Sequence, residues 1–406
     1  MISLSSIISD LIFHKNIRII IGQDENFRTP KTNLINDFYY HPSDPNDWIH
    51  TLQAGRLLPD NWGHVCLNDP KTLDRVIESV EKIKTDKIIS ISQPDSNDWC
   101  DCSTCSKERP SETLIRFVNQ VAERFPQKRF STLAYFKTEE PPTVNPIDNV
   151  QVIITTIEIP KDKPYRTSSR NDVVAWRRRL KKWLSLTKNI VVWDYYSNFR
   201  HLLMPYPVLL NIGKNIRWMY FSGVRNFIVQ TNAGTGHEFS ELKSHLVSEM
   251  LWNPMRDPEK AINSFLSTYY SQAAPYIRQY IDLLHKEQAG GKPLINWSDP
   301  AEFDKSFLSP KNLEKYSRIL TEALNCTSSG DTKMRVRTVF LQIWYTLIEM
   351  GLERSEDIDS FKLVCRSVGG VTVNEYNLTA EQYLKNKSTD ITPTTACKHN
   401  RRKNND

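Results

Sequence analysis

Three carboxylate side chains lie at the ends of apolar runs that are typical of buried β-strands: Asp95, Glu158 and Asp194. Because the carboxyl ends of parallel strands meet at one edge of a sheet, we expect the three acids to converge there. Paired carboxylates that flank a bond are what glycoside cleavage requires: one protonates the leaving oxygen, and the other acts as nucleophile, base or cation stabiliser. The alternative for each acid is simple solvation or the capping of a helix.

Polar and aromatic side chains near the same strand ends are expected to surround these acids. Amide, imidazole and hydroxyl groups form hydrogen bonds with sugar hydroxyls, and aromatic rings offer flat apolar faces for stacking. The expected substrate-binding residues of this kind are Gln93, Tyr135, Trp193, Tyr195, Asn198, His201, Gln230 and Asn232.

A second candidate site is a cysteine loop with C-x-C-x-x-C spacing, formed by Cys100, Cys102 and Cys105. Zinc takes four ligands in tetrahedral geometry, so this loop lacks one ligand. Cys66, which follows an earlier apolar run, is the first choice for the fourth ligand, with Asp101 or a histidine as alternatives. Since catalytic zinc usually has histidine or carboxylate ligands, a zinc ion here is expected to hold the loop together. Three unliganded thiols are the other interpretation.

Alternating strands and helices must position both sites. The stretch 87–135 predicts a strand, a polar loop, a helix over Ser111–Arg124 and a second, parallel strand. A succession of strand, polar end and helix recurs at least five times between residues 62 and 252. No glycine-rich nucleotide-binding loop follows any strand. The sequence therefore predicts an α/β fold, a TIM-like (β/α)8 barrel or part of one, with a C-terminal helical appendage.

Domain boundaries follow changes in pattern and composition. Residues 1–45 form a short polar segment with one strand near Ile17–Ile21, and the barrel is expected over residues 46–287. A C-terminal helical region follows over residues 298–385. Residues 386–406 have the Ser, Thr, Asn and Lys content of a disordered tail.

Composition and charge exclude several classes of protein. No run of about 18 apolar residues is present, so no membrane span is expected. About half of the net charge of +6 comes from the last nine residues, which leaves the rest nearly neutral and argues against nucleic acid as a partner. The basic run 176–183 is interpreted as a solvated helix face whose Trp and Leu side chains pack inward. The N-terminus lacks the features of a signal peptide, and a cytoplasmic location is the expectation.

Several stretches together resemble a known family, among them ISISQPDSNDWCDCSTC, NVQVIITTIE, VVWDYYSNFRHLLMPYP and GVRNFIVQ. They are similar to the glycoside-hydrolase-like family catalogued as domain of unknown function 4838, over roughly residues 48–285. Some members of that family are endo-β-N-acetylglucosaminidases acting on complex N-glycans, and relatives are often periplasmic or secreted. The resemblance implies a TIM-like barrel, supports Asp95, Glu158 and Asp194 as site residues, includes the cysteine loop, and adds His50 to the substrate-binding residues.

One position departs from the family pattern. Relatives carry a glutamate just before the glutamine of the last strand motif, where this chain has Val229 followed by Gln230. If that glutamate is a catalytic acid in relatives, this chain has lost it and binds glycans without cleaving them. The N-terminal part is also short, which indicates a barrel that is incomplete at its first strands.

The combined prediction is a glycoside hydrolase acting on N-acetylglucosamine-containing glycans, with Glu158 paired with Asp194 or Asp95. A carbohydrate or glycoprotein glycan is the expected partner, and a structural zinc is the only expected metal. Catalysis itself is expected to need no cofactor. The alternative is a glycan-binding barrel without turnover.

Overall fold

The structure, a computed structural model, describes residues 18–22, 51–52, 65–231 and 234–389 of the 406-residue chain. Within these residues, six parallel strands form one sheet in the order β1-β6-β5-β4-β3-β2. The strands are β1 (Arg18–Gly22), β2 (Ile88–Ser90), β3 (Arg129–Ala134), β4 (Val150–Thr155), β5 (Ile190–Tyr195) and β6 (Asn226–Gln230).

The strand order is that of a barrel rather than of a doubly wound sheet. From β2 to β6 each strand pairs with the next along the chain, and β1 lies beside the last strand, β6. A doubly wound sheet reverses direction at a switch point, and this sheet does not. At its other edge, the N–H of Leu52 donates to the Ser92 carbonyl (2.9 Å) and the Thr51 hydroxyl donates to the Ser90 carbonyl (2.6 Å). Residues 51–52 therefore lie beside β2, where the next strand of a barrel would lie. The parallel sheet and the helices together confirm the predicted α/β fold.

The two faces of the sheet carry different side chains because successive residues of a strand point to opposite sides. Phe130, Val152, Val192 and Phe227 belong to the cores formed with the helices. On the opposite face, one residue from each of β2–β6 enters a separate cluster, as expected of a sheet that curls around an inner core. These inner residues are Ile88, Leu133, Ile153, Val191 and Ile228.

Helices separate most of the strands. No helix longer than one turn lies between β3 and β4, because Pro141, Pro142 and Pro146 interrupt that connection and proline lacks the N–H that a helix interior needs. The expected regular succession of strand and helix is therefore wrong at this one connection. Among the described residues, no helix is both long and apolar enough to cross a membrane. The helices up to the end of the family-like region are α1 (Pro70–Lys82), α2 (Pro110–Arg124), α3 (Asn171–Leu186), α4 (Leu209–Phe221), α5 (Ser240–Trp252), α6 (Pro258–Tyr270) and α7 (Ala274–Gln288).

The C-terminal helices pack on the preceding helices: residues 310–325 lie against α7, and residues 330–350 lie against α6. Their buried side chains share one continuous core with residues of β4, β5 and β6. The last helix reaches Thr389, beyond the predicted end of the helical region at 385, and the rest of the predicted tail lies outside the described residues. These helices are α8 (Pro310–Asn325), α9 (Gly330–Met350), α10 (Ser355–Val368) and α11 (Ala380–Thr389).

The basic run in α3 is a helix face, as the sequence predicts. Trp176, Leu180 and Trp183 are buried in the core. On the opposite side, the Arg179 guanidinium pairs with the carboxylates of Glu139 (2.9 Å) and Glu140 (3.1 Å). The apolar side chains hold α3 on the sheet, and part of the basic charge is neutralised locally.

Candidate functional site

A pocket opens at the carboxyl ends of β3, β4, β5 and β6. Its cavity volume of about 180 Å³ lies below the roughly 300–1,000 Å³ of sites for drug-sized ligands, so it has room for about one sugar ring. Five of its eleven lining residues lie within the strands, at positions whose side chains point to the inner face. The lining residues are Asp95, Leu133, Tyr135, Thr155, Ile157, Trp193, Tyr195, Phe199, Gln230, Trp297 and Glu375.

One wall of the pocket is a row of four aromatic rings. Trp193 and Tyr195 are two residues apart on β5 and therefore share a face; their rings stack 5.5 Å apart at 14°. The Tyr195 ring meets Phe199 edge to face at 5.9 Å, and Phe199 lies 5.4 Å from Trp297. The row forms an apolar wall of the kind on which a sugar ring stacks.

Asp95 is oriented by a tyrosine that is itself held in place. The Tyr135 hydroxyl donates to Asp95 Oδ1 at 3.0 Å. Burial and the negative charge of Asp95 raise the pKa of the Tyr135 phenol well above its usual value, so the phenol stays protonated and remains a donor. The next residue, Phe136, has a φ of 50° and stacks on the Tyr135 ring at 3.9 Å. Such a left-handed, non-glycine residue is costly and is often found at functional sites.

Glu375 is the second carboxylate of the pocket, and the sequence did not predict it. It lies in the connection between α10 and α11, where the Asn374 side chain accepts from the N–H groups of Tyr376 (3.1 Å) and Leu378 (3.2 Å). The Glu375 N–H donates to the Phe199 carbonyl at 2.9 Å, which fixes the turn against the loop after β5. The connection between two C-terminal helices thus places a carboxylate in the pocket at the carboxyl ends of the strands.

The surroundings of Glu375 favour its protonated form. Burial raises the pKa of this carboxyl, the hydrogen bond from Trp297 lowers it, and the charge of Asp95 raises it again. The Trp297 indole N–H donates to Glu375 Oε1 at 3.3 Å. Glu375, with its raised pKa, and Asp95 line the same pocket, and two carboxyl groups in different surroundings are the arrangement from which an acid–base pair is built.

Of the three predicted catalytic acids, Asp95 and Glu158 both lie near the Tyr135 phenol, and Asp194 is set apart from them. Asp95 lines the pocket, while Glu158 is exposed near the rim, where its charge contributes to the raised pKa of Tyr135. Asp194 is fully buried away from the pocket, so its predicted catalytic position is wrong. The reason is strand alternation: Trp193 and Tyr195 point inward, and Asp194 therefore points to the helix side.

Asp194 instead belongs to a buried network below the pocket. Its Oδ1 accepts from the hydroxyls of Thr156 (2.5 Å) and Tyr165 (2.7 Å) and from the Tyr195 N–H (3.0 Å). The ammonium group of Lys161, also fully buried, lies 4.0 Å from the same oxygen and donates to the Thr156 carbonyl. Burial lowers the pKa of Lys161 to about 8, while the charges of Asp194 and Glu158 act in the opposite direction. The network ties the end of β4 to the end of β5.

The predicted substrate-binding residues divide into two groups. Tyr135, Trp193, Tyr195 and Gln230 line the pocket, as expected. Three others are buried and support the structure instead, which corrects the prediction for them. The Gln93 amide donates to the Tyr135 carbonyl at 3.0 Å, Asn198 donates to the Ser298 carbonyl at 2.7 Å, and His201 Nδ1 lies 2.8 Å from the Tyr345 hydroxyl. His50 and Asn232 lie outside the described residues.

Val229 does not face the pocket. Its side chain is fully buried in the core between sheet and helices, and Asp194 is its neighbour on β5. A glutamate at this position in the same backbone would also point away from the pocket. The valine therefore leaves the acids of the pocket, Asp95 and Glu375, unchanged.

The four predicted metal ligands come together as expected. The sulfur atoms of Cys66, Cys100, Cys102 and Cys105 all lie within 4.8 Å of one another. The loop that carries three of them also carries Asp95 at its start.

Neither Glu375 nor Trp297 has a local signal in the sequence. Both follow the last strand by many residues, and only the packing of the C-terminal helices brings them to the pocket. A polar turn at Asn374–Asn377, three residues after the Gly369–Gly370 pair, is the one feature that suggests an exposed, functional loop.

A family model described as "Domain of unknown function (DUF4838)" matches residues 26–282. The matched range contains β2–β6, the cysteine loop and Asp95, while Trp297 and Glu375 follow it. None of the curated proteins matches the chain.

Proposed function

The chain belongs to the family described as a domain of unknown function (DUF4838), and on this premise we propose that it is a glycoside hydrolase. The observation that carries the proposal is the presence of two carboxylates, Asp95 and Glu375, in one pocket with an aromatic wall. The proposed substrates are N-acetylglucosamine-containing glycans, a class that rests on the family resemblance of the sequence. The same premise supports a (β/α)8-type barrel, since the described strands follow barrel order.

The roles of the two acids follow from their surroundings. Glu375, whose pKa is raised by burial, is the general acid that protonates the leaving oxygen. Asp95 is the nucleophile or base, because the Tyr135 phenol donates to its Oδ1 and orients the other oxygen toward a substrate. The Trp193 ring provides the stacking face, and the Gln230 amide lies at the carboxyl end of β6 to bind sugar hydroxyls.

The test is glycan release. The purified chain is incubated with a glycoprotein that carries complex N-glycans and with N-acetylglucosamine oligomers, and released sugars are measured by mass spectrometry. Release supports the hydrolase. Binding of the same glycans without release identifies the alternative, a glycan-binding barrel, and the absence of both contradicts the proposal.

Removal of the stacking face is expected to weaken glycan binding. Trp193→Ala deletes a large apolar contact of about 1.5–3 kcal/mol, so affinity for an N-acetylglucosamine oligomer falls about 10- to 150-fold in calorimetry. The matched control is Trp252→Ala, which removes a partly exposed tryptophan of α5 outside the pocket lining. If Trp193→Ala and Trp252→Ala bind the oligomer with equal affinity, Trp193 is not part of the binding site.

Trp297→Phe is expected to change the pH dependence of turnover. The indole N–H favours the charged form of Glu375, so its loss raises the pKa of that carboxyl further. A general acid with a higher pKa keeps its proton to a higher pH, and the alkaline limb of kcat/KM therefore moves upward in pH. Phenylalanine keeps an aromatic side chain in the wall. An unchanged or downward-shifted limb would contradict the role of Glu375 as the acid.

A further inference from the structure

Four cysteine thiols form a compact cluster at the loop that follows β2 and begins with the pocket residue Asp95. Cys66 lies just before α1, and Cys100, Cys102 and Cys105 lie in the loop between β2 and α2. These two segments are more than thirty residues apart in the chain, so the cluster exists only through tertiary packing.

Two distances between the sulfur atoms match those of a tetrahedral metal centre, and all four atoms lie within 4.8 Å of one another. Cys66 Sγ lies 3.8 Å from Cys102 Sγ and 3.7 Å from Cys105 Sγ. With zinc–sulfur bonds of about 2.3 Å, the sulfur atoms of a tetrahedral tetrathiolate are about 3.8 Å apart. The sulfurs of a disulfide are only about 2.05 Å apart, so these pairs are not bonded to each other.

Hydrogen-bond donors point at the sulfur atoms. Asn68 Nδ2 donates to Cys105 Sγ at 3.3 Å, and the N–H of Cys105 donates to Cys102 Sγ at 3.5 Å. Donors of this kind stabilise the negative charge that thiolates carry in a metal site and orient the ligands.

Little buried apolar surface holds this loop in shape. Between Asp95 and Arg109 it contains one short 3₁₀ turn at Cys105–Lys107, and most of its side chains are exposed or only partly buried. Trp99 is its one large apolar side chain. A metal centre supplies cross-links where burial of apolar surface is scarce.

We infer that Cys66, Cys100, Cys102 and Cys105 bind one Zn²⁺ ion as a structural tetrathiolate site. Four protein ligands fill the tetrahedron and leave no open position, which is the form of structural zinc sites. The ion joins the start of α1 to the loop that begins at Asp95 and ends at α2. This assignment holds independently of the proposed hydrolase activity.

The first test is metal content of the full chain expressed with added zinc. About one equivalent of zinc per chain is expected by plasma mass spectrometry. Cys102→Ser, at the exposed member of the cluster, is expected to lower this at least about fivefold, whereas Cys326→Ser, outside the cluster, keeps it. Less than about a tenth of an equivalent in the wild type, iron in place of zinc, or equal zinc in both variants would overturn the assignment.

The second test does not depend on the folding of a variant. Replacement of the metal of the wild-type chain with Co²⁺ is expected to give a thiolate-to-cobalt charge-transfer band and the strong visible bands of tetrahedral cobalt. Chelation is then expected to expose the loop to trypsin after Lys107, which is exposed in the structure. Octahedral cobalt spectra, or two disulfides found by mass spectrometry, would overturn the inference.

Discussion

Replacing Glu375 with glutamine is expected to lower kcat by about 10²–10⁴-fold while glycan affinity stays within about threefold. Glutamine keeps the size and hydrogen-bonding capacity of the side chain but cannot deliver a proton to the leaving oxygen. An interaction needed only in the transition state affects kcat and not ground-state binding. The measurement is initial rates of glycan release together with calorimetric affinity for the same glycan.

The control for this variant is Glu381→Gln, at an exposed glutamate of the neighbouring helix α11, which is expected to behave as wild type. Glu158→Gln serves as a competing variant, because Glu158 lies near the rim and the sequence predicts it as one of the two catalytic carboxylates. Full activity in Glu375→Gln combined with loss in Glu158→Gln would transfer the role of acid to Glu158. A loss of affinity in Glu375→Gln as large as the loss of kcat would identify Glu375 as a binding residue.

Much of the sheet could be predicted because the signal is local. The stretch 87–135 correctly predicts β2, a helix that ends at Arg124 and the parallel strand β3, and the cysteine spacing together with Cys66 predicts four residues that the structure brings together. Cys66 is the first choice for the fourth ligand because it follows an earlier apolar run, although it lies thirty-four positions before Cys100 in the chain.

The error at Asp194 was avoidable from the sequence. Trp193, Asp194 and Tyr195 were all expected to face the sugar, but three successive residues of a strand cannot share a face. Trp193 and Tyr195 flank Asp194. Because these two aromatic side chains point to the inner face, Asp194 must point to the opposite face. Alternation within β6 places Val229 on the helix side in the same way, next to Asp194.

Glu375 and Trp297 show the limit of local patterns. Each depends on contacts with a loop that is far away in the chain: the Glu375 N–H bonds the Phe199 carbonyl, and the Trp297 indole bonds the Glu375 carboxylate. No periodicity or spacing records such contacts, because they are set by how the C-terminal helices dock. The pocket is therefore lined both by residues of the sheet and by residues of the C-terminal region, which the sequence predicts as a separate part of the chain.

The buried ion pair below the pocket is expected to be essential for stability. Lys161→Met removes the cation that lies 4.0 Å from Asp194 Oδ1 and leaves a carboxylate without exposure to solvent. Breaking a buried pair by removing one partner typically costs about 3–5 kcal/mol, because the remaining charge stays desolvated. The measurement is the free energy of unfolding from urea titration at pH 7, with Lys163→Met as the control at an exposed neighbour.

The double variant Lys161→Met with Asp194→Asn separates charge from packing. Asparagine removes the unpaired charge and still accepts from the hydroxyls of Thr156 and Tyr165, so the double variant is expected to be more stable than Lys161→Met alone. If the two are equally unstable, packing of the lysine stem and not the ion pair carries the effect. Because Asp194 also accepts from the Tyr195 N–H, loss of this network is expected to disturb the aromatic wall as well. An acid that the sequence assigned to catalysis would then act on the substrate only by holding β5 in place.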